Sequence, residues 1–350
     1  MLRLLLITTA LGLSLCACDG RERGTVDAAA DSGIGGDSTT PDTATPPSEP
    51  CGERDPRSAV PEVFVGPDGL AARLVALFDD AAATLRVAAY ELDDPRIVAG
   101  LIDAHGRGVD VRVLVDEARD TNTAPVGELR AAGLDVRDGP DEFRHYHPKV
   151  IVVDETRAVV MSANLNTYSM ESERNHGVVL SDAFDIADLV DVFDHDWEGR
   201  TTDPAAASCT RLVLSPHNSR SRILRLIASA ESELRVQHLS MSDDEVRAAI
   251  GQRAMNGVSA RAILADPFWI ESNTEAAEAL TALGVEVRFL STPENHAKLI
   301  VADGAAFVGS ENLSYTSLEL NREVGVVLTA AEAVTPLEAA FDADWTLAVP

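Results

Sequence analysis

From about residue 60 onward the chain repeats itself once, in order, at a nearly constant spacing. Leu85-Arg-Val matches Leu234-Arg-Val and Gly108-Val matches Gly257-Val, both at 149 residues. Gly177-Val-Val-Leu matches Gly325-Val-Val-Leu at 148, and Phe193-Asp-His-Asp-Trp197 matches Phe341-Asp-Ala-Asp-Trp345 at 148. A duplicated block of this length is a domain-sized unit, so the chain must fold as two similar bodies rather than one irregular one. The repeat places the first domain at 55–205 and the second at 206–350.

Within each block, helix and strand signals alternate. Val63 to Val65 reads as a short strand. Leu70, Leu74, Leu77, Phe78 and Ala81 form one apolar helical stripe. Leu85 to Tyr90 reads as a strand, and a helix starts at Asp94-Pro95, with Asp as cap and Pro in the first turn. Val111 to Val115 is almost wholly apolar, the mark of a strand covered on both faces. Val150 to Val153 and Ala158 to Ser162 form a hairpin around Asp154-Glu-Thr-Arg157, and Asp303-Gly304 is the matching turn. Each block closes on a helix carrying Phe-Asp-x-Asp-Trp. Phe193/Trp197 and Phe341/Trp345, at helical spacing, belong to the core. The expected fold is α/β: two mixed sheets flanked by helices and related by a pseudo-two-fold that brings matching faces together.

The repeat also carries the chemistry. The 350 residues contain two lysines among 29 basic residues, and both fall at matching places. One lies in His147-Pro-Lys149-Val-Ile-Val-Val-Asp154, the other in His296-Ala-Lys298-Leu-Ile-Val-Ala-Asp303. Arginine everywhere else implies that these two positions need a compact ammonium. On a strand the His-x-Lys spacing puts both side chains on one face. Ser162 and Asn164 match Ser310 and Asn312. Taken as one site, two histidines, two lysines, two asparagines and two serines suit a tetrahedral anion such as phosphate. Lysine supplies point charge, Asn and Ser neutral hydrogen bonds. One histidine can attack phosphorus, giving a phosphohistidine, while the other protonates the departing oxygen and then activates water. Neither motif offers a carboxylate or Cys/His cluster to hold a metal, so no metal or other cofactor is expected.

The HxKxxxxD spacing followed by Ser-x-Asn, present twice, resembles the signature of the phospholipase D superfamily. The resemblance covers about residues 60–345. It implies a metal-independent phosphodiesterase with one active site at the interface of the halves, with His147, Lys149, Asn164, His296, Lys298 and Asn312 in the site. It also implies that Asp154, Asp303, Ser162 and Ser310 are supports. Two departures stand out. The family pattern Gly-Ser-x-Asn is kept in Gly309-Ser310-Glu311-Asn312, but the first copy reads Met161-Ser162-Ala163-Asn164. Downstream, the second half reads Asn321-Arg322-Glu323 where the first reads Glu173-Arg174-Asn175. Placing each tripeptide beside its own histidine gives His296 a carboxylate partner, Glu323, and His147 an amide, Asn175. A carboxylate raises a histidine pKa. On that reading His296 rests protonated as general acid and His147 rests neutral as nucleophile; Glu171 or Glu173 reaching His147 would weaken it.

The N-terminus reads as a targeting segment. Met1-Leu-Arg3 is followed by an uncharged apolar run, Leu4 to Leu15, and by Leu15-Cys16-Ala17-Cys18. This resembles a bacterial lipoprotein signal with Cys18 as the lipidated residue, so residues 1–18 are assigned to the signal and lipidation cysteine. The expected location is a bacterial membrane, periplasmic or outer face, with secretion as the alternative. Residues 19–50, rich in Asp, Ser, Thr, Gly, Pro and Ala, read as a tether. In an exported chain the remaining cysteines, Cys51 and Cys209, are expected to pair.

Charge bears on the substrate. The formal net charge is -28, and the first 50 residues hold three basic and seven acidic groups, leaving -24 on the rest. No long basic track is present, which disfavours an extended nucleic-acid surface. Three classes stay open. One is hydrolysis of a phospholipid headgroup ester, with phosphatidyl transfer as in cardiolipin synthesis as a variant. The others are a nuclease of the same superfamily and an inert lipid-anchored binding protein. The acidic surface and the anchor favour the first, and a monomer is expected. Four further features are candidates. His145 is a metal partner or a rim residue. Tyr90-Glu91 and Leu239-Ser240 end equivalent strands, where pockets form. Phe268-Trp269, in a strand-to-helix loop, either packs or touches lipid, packing being the simpler reading.

Overall fold

The computed structural model describes residues 57–200, 204 and 210–350. The signal segment, Cys18, the tether and the Cys51–Cys209 pair lie outside them.

The first half runs β1 (Glu62–Gly66), α1 (Leu70–Asp79), β2 (Thr84–Ala89), α2 (Pro95–Gly106), β3 (Asp110–Val115), α3 (Thr123–Ala131), β4 (Asp135–Asp138), β5 (Lys149–Val153), β6 (Arg157–Met161), α4 (Thr167–Glu171), β7 (Glu173–Leu180) and α5 (Ala183–Trp197). The second runs β8 (Leu212–Ser215), α6 (Ser219–Ala228), β9 (Glu233–His238), α7 (Asp244–Met255), β10 (Ser259–Ala265), α8 (Ser272–Ala282), β11 (Glu286–Leu290), β12 (Glu294–Asn295), β13 (Lys298–Ala302), β14 (Ala305–Gly309), α9 (Tyr315–Glu319), β15 (Glu323–Leu328) and α10 (Ala331–Leu347). The sheet orders are β1-β7-β6-β5-β2-β3-β4 and β8-β15-β14-β13-β9-β10-β11, the same topology twice. In each, β2-β3-β4 or its counterpart is parallel and the other pairings along the order are antiparallel; β12 of the second half adds to the first sheet, parallel to β7.

Local chemistry sets these elements. Asp94 accepts Arg96 N–H, and Pro95 fills the first helical position, where no amide donor is needed. Asp243 does the same for α7 through Val246 N–H. The motif aspartates act at the hairpin turns, where Asp154 and Asp303 have φ of 50° and 40°. Asp154 accepts the amides of Ala82, Ala83 and Thr84 at 2.7–2.9 Å, and Asp303 those of Glu231, Ser232 and Glu233. Burial opposes ionisation of both, but the amide donors outweigh it and hold both carboxyls below their usual range. Each thereby ties its hairpin to the start of the neighbouring strand, about 16 Å along the strand from the lysine.

Three large apolar clusters result. One lies outside the first sheet, under α1 and α2, and one outside the second, under α6 and α7. The third is shared: Val150, Val152, Phe193 and Trp197 pack with Leu299, Val301, Phe341 and Trp345. Phe193/Trp197 and Phe341/Trp345 stack at 5.7 and 5.9 Å between ring centroids. The halves are thus joined through a common core rather than merely touching.

Candidate active site

Backbone pairing across the shared face delivers the histidines. His147 and His296 stand just before β5 and β13 rather than on them. His147 N–H donates to Arg322 O at 2.9 Å and Arg322 N–H to His145 O at 2.9 Å. In the mirror position His296 N–H donates to Arg174 O at 3.0 Å, and β12 pairs with Glu173 and Arg174. The strands carrying Glu-Arg-Asn and Asn-Arg-Glu therefore run beside the other half's histidine, and the partners expected from sequence are exchanged. His147 Nδ1 lies 2.5 Å from Glu323 Oε2, and His296 Nδ1 lies 3.0 Å from Asn175 Oδ1. Glu173 sits near His296, 3.6 Å from its Nδ1, not near His147. Glu171 is exposed and pairs with Arg96.

The carboxylates are anchored alike from opposite ends of the inverted tripeptide. Ser317 Oγ and Asn321 Nδ2 donate to Glu323 Oε1 at 2.7 and 3.0 Å, and Ser169 Oγ donates to Glu173. Burial works to raise Glu323, but His147, Lys149 and Asn321 outweigh it and hold the carboxyl below its usual range. As a carboxylate it only accepts, so His147 Nδ1 carries the hydrogen and Nε2 the lone pair. Burial depresses His147 to about 4 against the opposing pull of Glu323. Burial, then Lys298 and Lys149, push His296 well below its ordinary value. Both imidazoles are therefore neutral in this site. The resting imidazolium expected at His296 is corrected: its nearest partner is an amide, and two ammoniums stand close by.

The remaining residues complete a donor-rich pocket. Lys149 Nζ donates to His147 O at 2.8 Å and Lys298 Nζ to His296 O at 3.0 Å, which turns each ammonium back toward its own histidine. Ser162 Oγ donates to Asn175 Oδ1 at 2.8 Å and accepts His176 N–H, and Ser310 Oγ accepts Val324 N–H. The serines thus brace the partner strands. Asn164 is buried with neither amide atom hydrogen-bonded within the protein, and Asn312 leaves its carbonyl oxygen unpartnered. Asn164 Nδ2 can donate to a ligand's oxygens, while Asn312 Oδ1 can only accept, from a ligand's hydroxyl or from water. Among the described residues no group of three or more His, Cys, Asp or Glu side chains is placed to hold a metal. His145, about one-third exposed, lies 3.7 Å from Asp116 and edge-on to Tyr90, at the rim.

The sequence marked Tyr90 as a strand-end candidate for the pocket, and missed Glu311. The Tyr90 ring packs edge-on against His147 at 4.4 Å, with Lys149 Nζ 5.2 Å from its centroid. Glu311 is fully buried, and burial, then Glu323, pushes its carboxyl well up. It also explains the Gly309/Met161 departure, because a Cβ on Gly309 or Gly325 would collide with Glu311 Oε2. The first half reverses the volumes, with Met161 large and Ala163 small.

The second aspartate of each Phe-Asp-x-Asp-Trp locks the crossed strands. Asp196 accepts two hydrogen bonds from Arg322, at 2.8 and 2.9 Å, and Asp344 pairs with Arg174. Arg322 is fully buried, so Asp196→Asn leaves an uncompensated charge. The expected cost is about 3–5 kcal/mol, read from the urea midpoint, with a smaller loss for Asp344→Asn because Arg174 is partly exposed.

A family model described as "Cardiolipin synthase, PLD-like domain" matches residues 74–197 and again 223–345. A phospholipase D of Rickettsia bellii (strain RML369-C) is 30% identical over 146 residues, 41% of this chain and 70% of that protein. The mitochondrial cardiolipin hydrolase of Canis lupus familiaris is 28% identical over 127 residues, 36% of this chain and 50% of its own length. Among solved structures, phosphatidylserine synthase from Haemophilus influenzae Rd KW20 superposes with a TM-score of 0.67 at 15% identity, over 80% of this chain and 84% of that one, a likeness of fold.

Proposed function

From the fact that this chain belongs to the PLD-like domain family, matched in both halves, and is a phosphodiesterase of that superfamily, we propose that it hydrolyses a phospholipid headgroup ester through a phosphohistidine. The observation that carries the chemistry is the crossed pairing of His147 with Glu323 and of His296 with Asn175. His147 Nε2 attacks phosphorus and the bond to the headgroup oxygen breaks. Glu323 balances the charge that forms on the ring. An anionic phosphodiester seated on Lys149 and Lys298 offsets the two charges that add to burial in depressing His296, so His296 takes up a proton from solvent and delivers it to the leaving oxygen. Neutral again, His296 removes a proton from water. The water oxygen attacks phosphorus, and His147 departs.

The lipid reading is supported by the curated relatives, one named phospholipase D and one cardiolipin hydrolase, and by the charge of -24 beyond residue 50, which repels a polyanionic strand. The apolar run before Cys18 supports export and lipid anchoring at a bacterial membrane. The test is to incubate the full chain, with chelator, separately with mixed phospholipid vesicles and with single-stranded DNA. Lipid turnover that vanishes in His147→Ala is expected. DNA cleavage alone would transfer the chain to the nuclease reading, and neither activity from a folded protein would leave a binding role.

A further inference from the structure

We propose that the turn from Asp266 to Ile270 is a lipid-surface contact, with the Phe268 ring entering a bilayer beside the catalytic cleft. The proposal rests on the lipid reading of the site. Phe268 is 87% exposed, the reverse of the packing that its sequence suggested. The exposure is built in. Asp266 Oδ1 accepts Phe268 N–H at 2.9 Å, its backbone oxygen accepts Trp269 and Ile270 N–H, and its Oδ2 accepts Ser291 Oγ at 2.6 Å. A turn pinned at that many points holds the ring outward.

The platform beneath it is apolar and reaches the site. Trp269 packs on Leu239, Ala265 and Ile270, a small cluster apart from the three large cores. Leu239 N–H donates to the oxygen of Ala297, the residue between His296 and Lys298. Trp269, the neighbour of Phe268, is thus linked through Leu239 to the catalytic segment.

The repeat supplies an internal control. The first half makes the same turn, with Asp116 accepting Ala118 N–H at 3.1 Å. There the tip is Ala118, and the residue matching Trp269 is Arg119, paired with Glu91 and lying over Tyr90. The fold therefore needs neither the phenylalanine nor the tryptophan. With -24 beyond residue 50, attraction to anionic lipid is not available, and insertion of an apolar side chain is the contact that remains.

The test uses the chain from residue 18 onward with Cys18→Ser, so that neither the apolar run nor an attached lipid contributes. Binding to, and turnover of, vesicles of phosphatidylcholine and cardiolipin are measured beside turnover of soluble bis(p-nitrophenyl) phosphate. Phe268→Ala, which gives the second turn the tip of the first, is expected to weaken vesicle binding about 10- to 100-fold. Vesicle turnover should fall in parallel, with the soluble diester unaffected, and Phe268→Trp should restore binding. Equal binding by Phe268→Ala, or no vesicle binding by the parent protein, overturns the proposal. Binding through Phe268 without lipid turnover leaves the contact standing and removes the lipid-ester reading of the site.

Discussion

His296→Ala is expected to leave the enzyme stalled with phosphorus on His147. With an activated diester such as bis(p-nitrophenyl) phosphate, the leaving group departs without an acid, so the first step survives. The second does not, because the base that would activate water is gone. One equivalent of p-nitrophenolate should appear per enzyme, after which steady turnover falls about 10²- to 10⁴-fold. The adduct should be acid-labile and map to His147 by peptide mass. His147→Ala should give no burst and lose about 10⁴-fold or more. The assignment follows from charge: Glu323 accepts from Nδ1, leaves the His147 Nε2 lone pair for attack and balances the charge that attack puts on the ring, whereas His296 faces only the neutral Asn175. An adduct on His296 in the His147→Ala variant would reverse the roles and sink the argument.

Much of the fold was open to reading because the repeat gives each element twice. Strands with continuous apolar runs, the Asp94-Pro95 helix start and the Asp154 and Asp303 turns are local signals, and the structure carries them at those positions. The Phe-Asp-x-Asp-Trp helices were legible as core through Phe and Trp. Their aspartates were not, because the ion pairs Asp196–Arg322 and Asp344–Arg174 join residues from different halves.

The site was legible in its members and not in its wiring. His147, Lys149, Asn164 and their counterparts were marked by the duplicated motif. Which carboxylate meets which histidine depends on β7 and β15 crossing the shared face, and no spacing within one half encodes that. Pairing each tripeptide with its own motif was the simplest assumption, and it was reversed by the hydrogen bonds from His147 to Arg322 and from His296 to Arg174. The proposal that His147 is the nucleophile rests on the carboxylate beside it, where the sequence pairing alone gave it an amide. Phe268 was misjudged for a related reason: aromatic residues in loops usually pack, and only the pinned turn shows that this one does not.

The crossed wiring yields the second large effect. Glu323→Gln is nearly isosteric, yet it should lower kcat about 10²- to 10⁴-fold. Ser317 Oγ and Asn321 Nδ2 both donate to Oε1, so the glutamine must place its carbonyl oxygen there. Its NH₂ then faces His147 Nδ1, which becomes an acceptor, and the hydrogen moves to Nε2, where it blocks attack. The pH profile separates this from simple loss of structure. His147 must be neutral to attack, and its pKa is about 4, so kcat/KM should rise with pH through a limb near 4. Glu323 pulls that pKa up, so in Glu323→Gln the limb should move to lower pH while the plateau drops. The mirror change, Asn175→Asp, puts a carboxylate on His296, raises its pKa and extends the basic limb upward at a cost below about tenfold. An unmoved acid limb with full kcat in Glu323→Gln would show that the short His147–Glu323 contact plays no part in the chemistry.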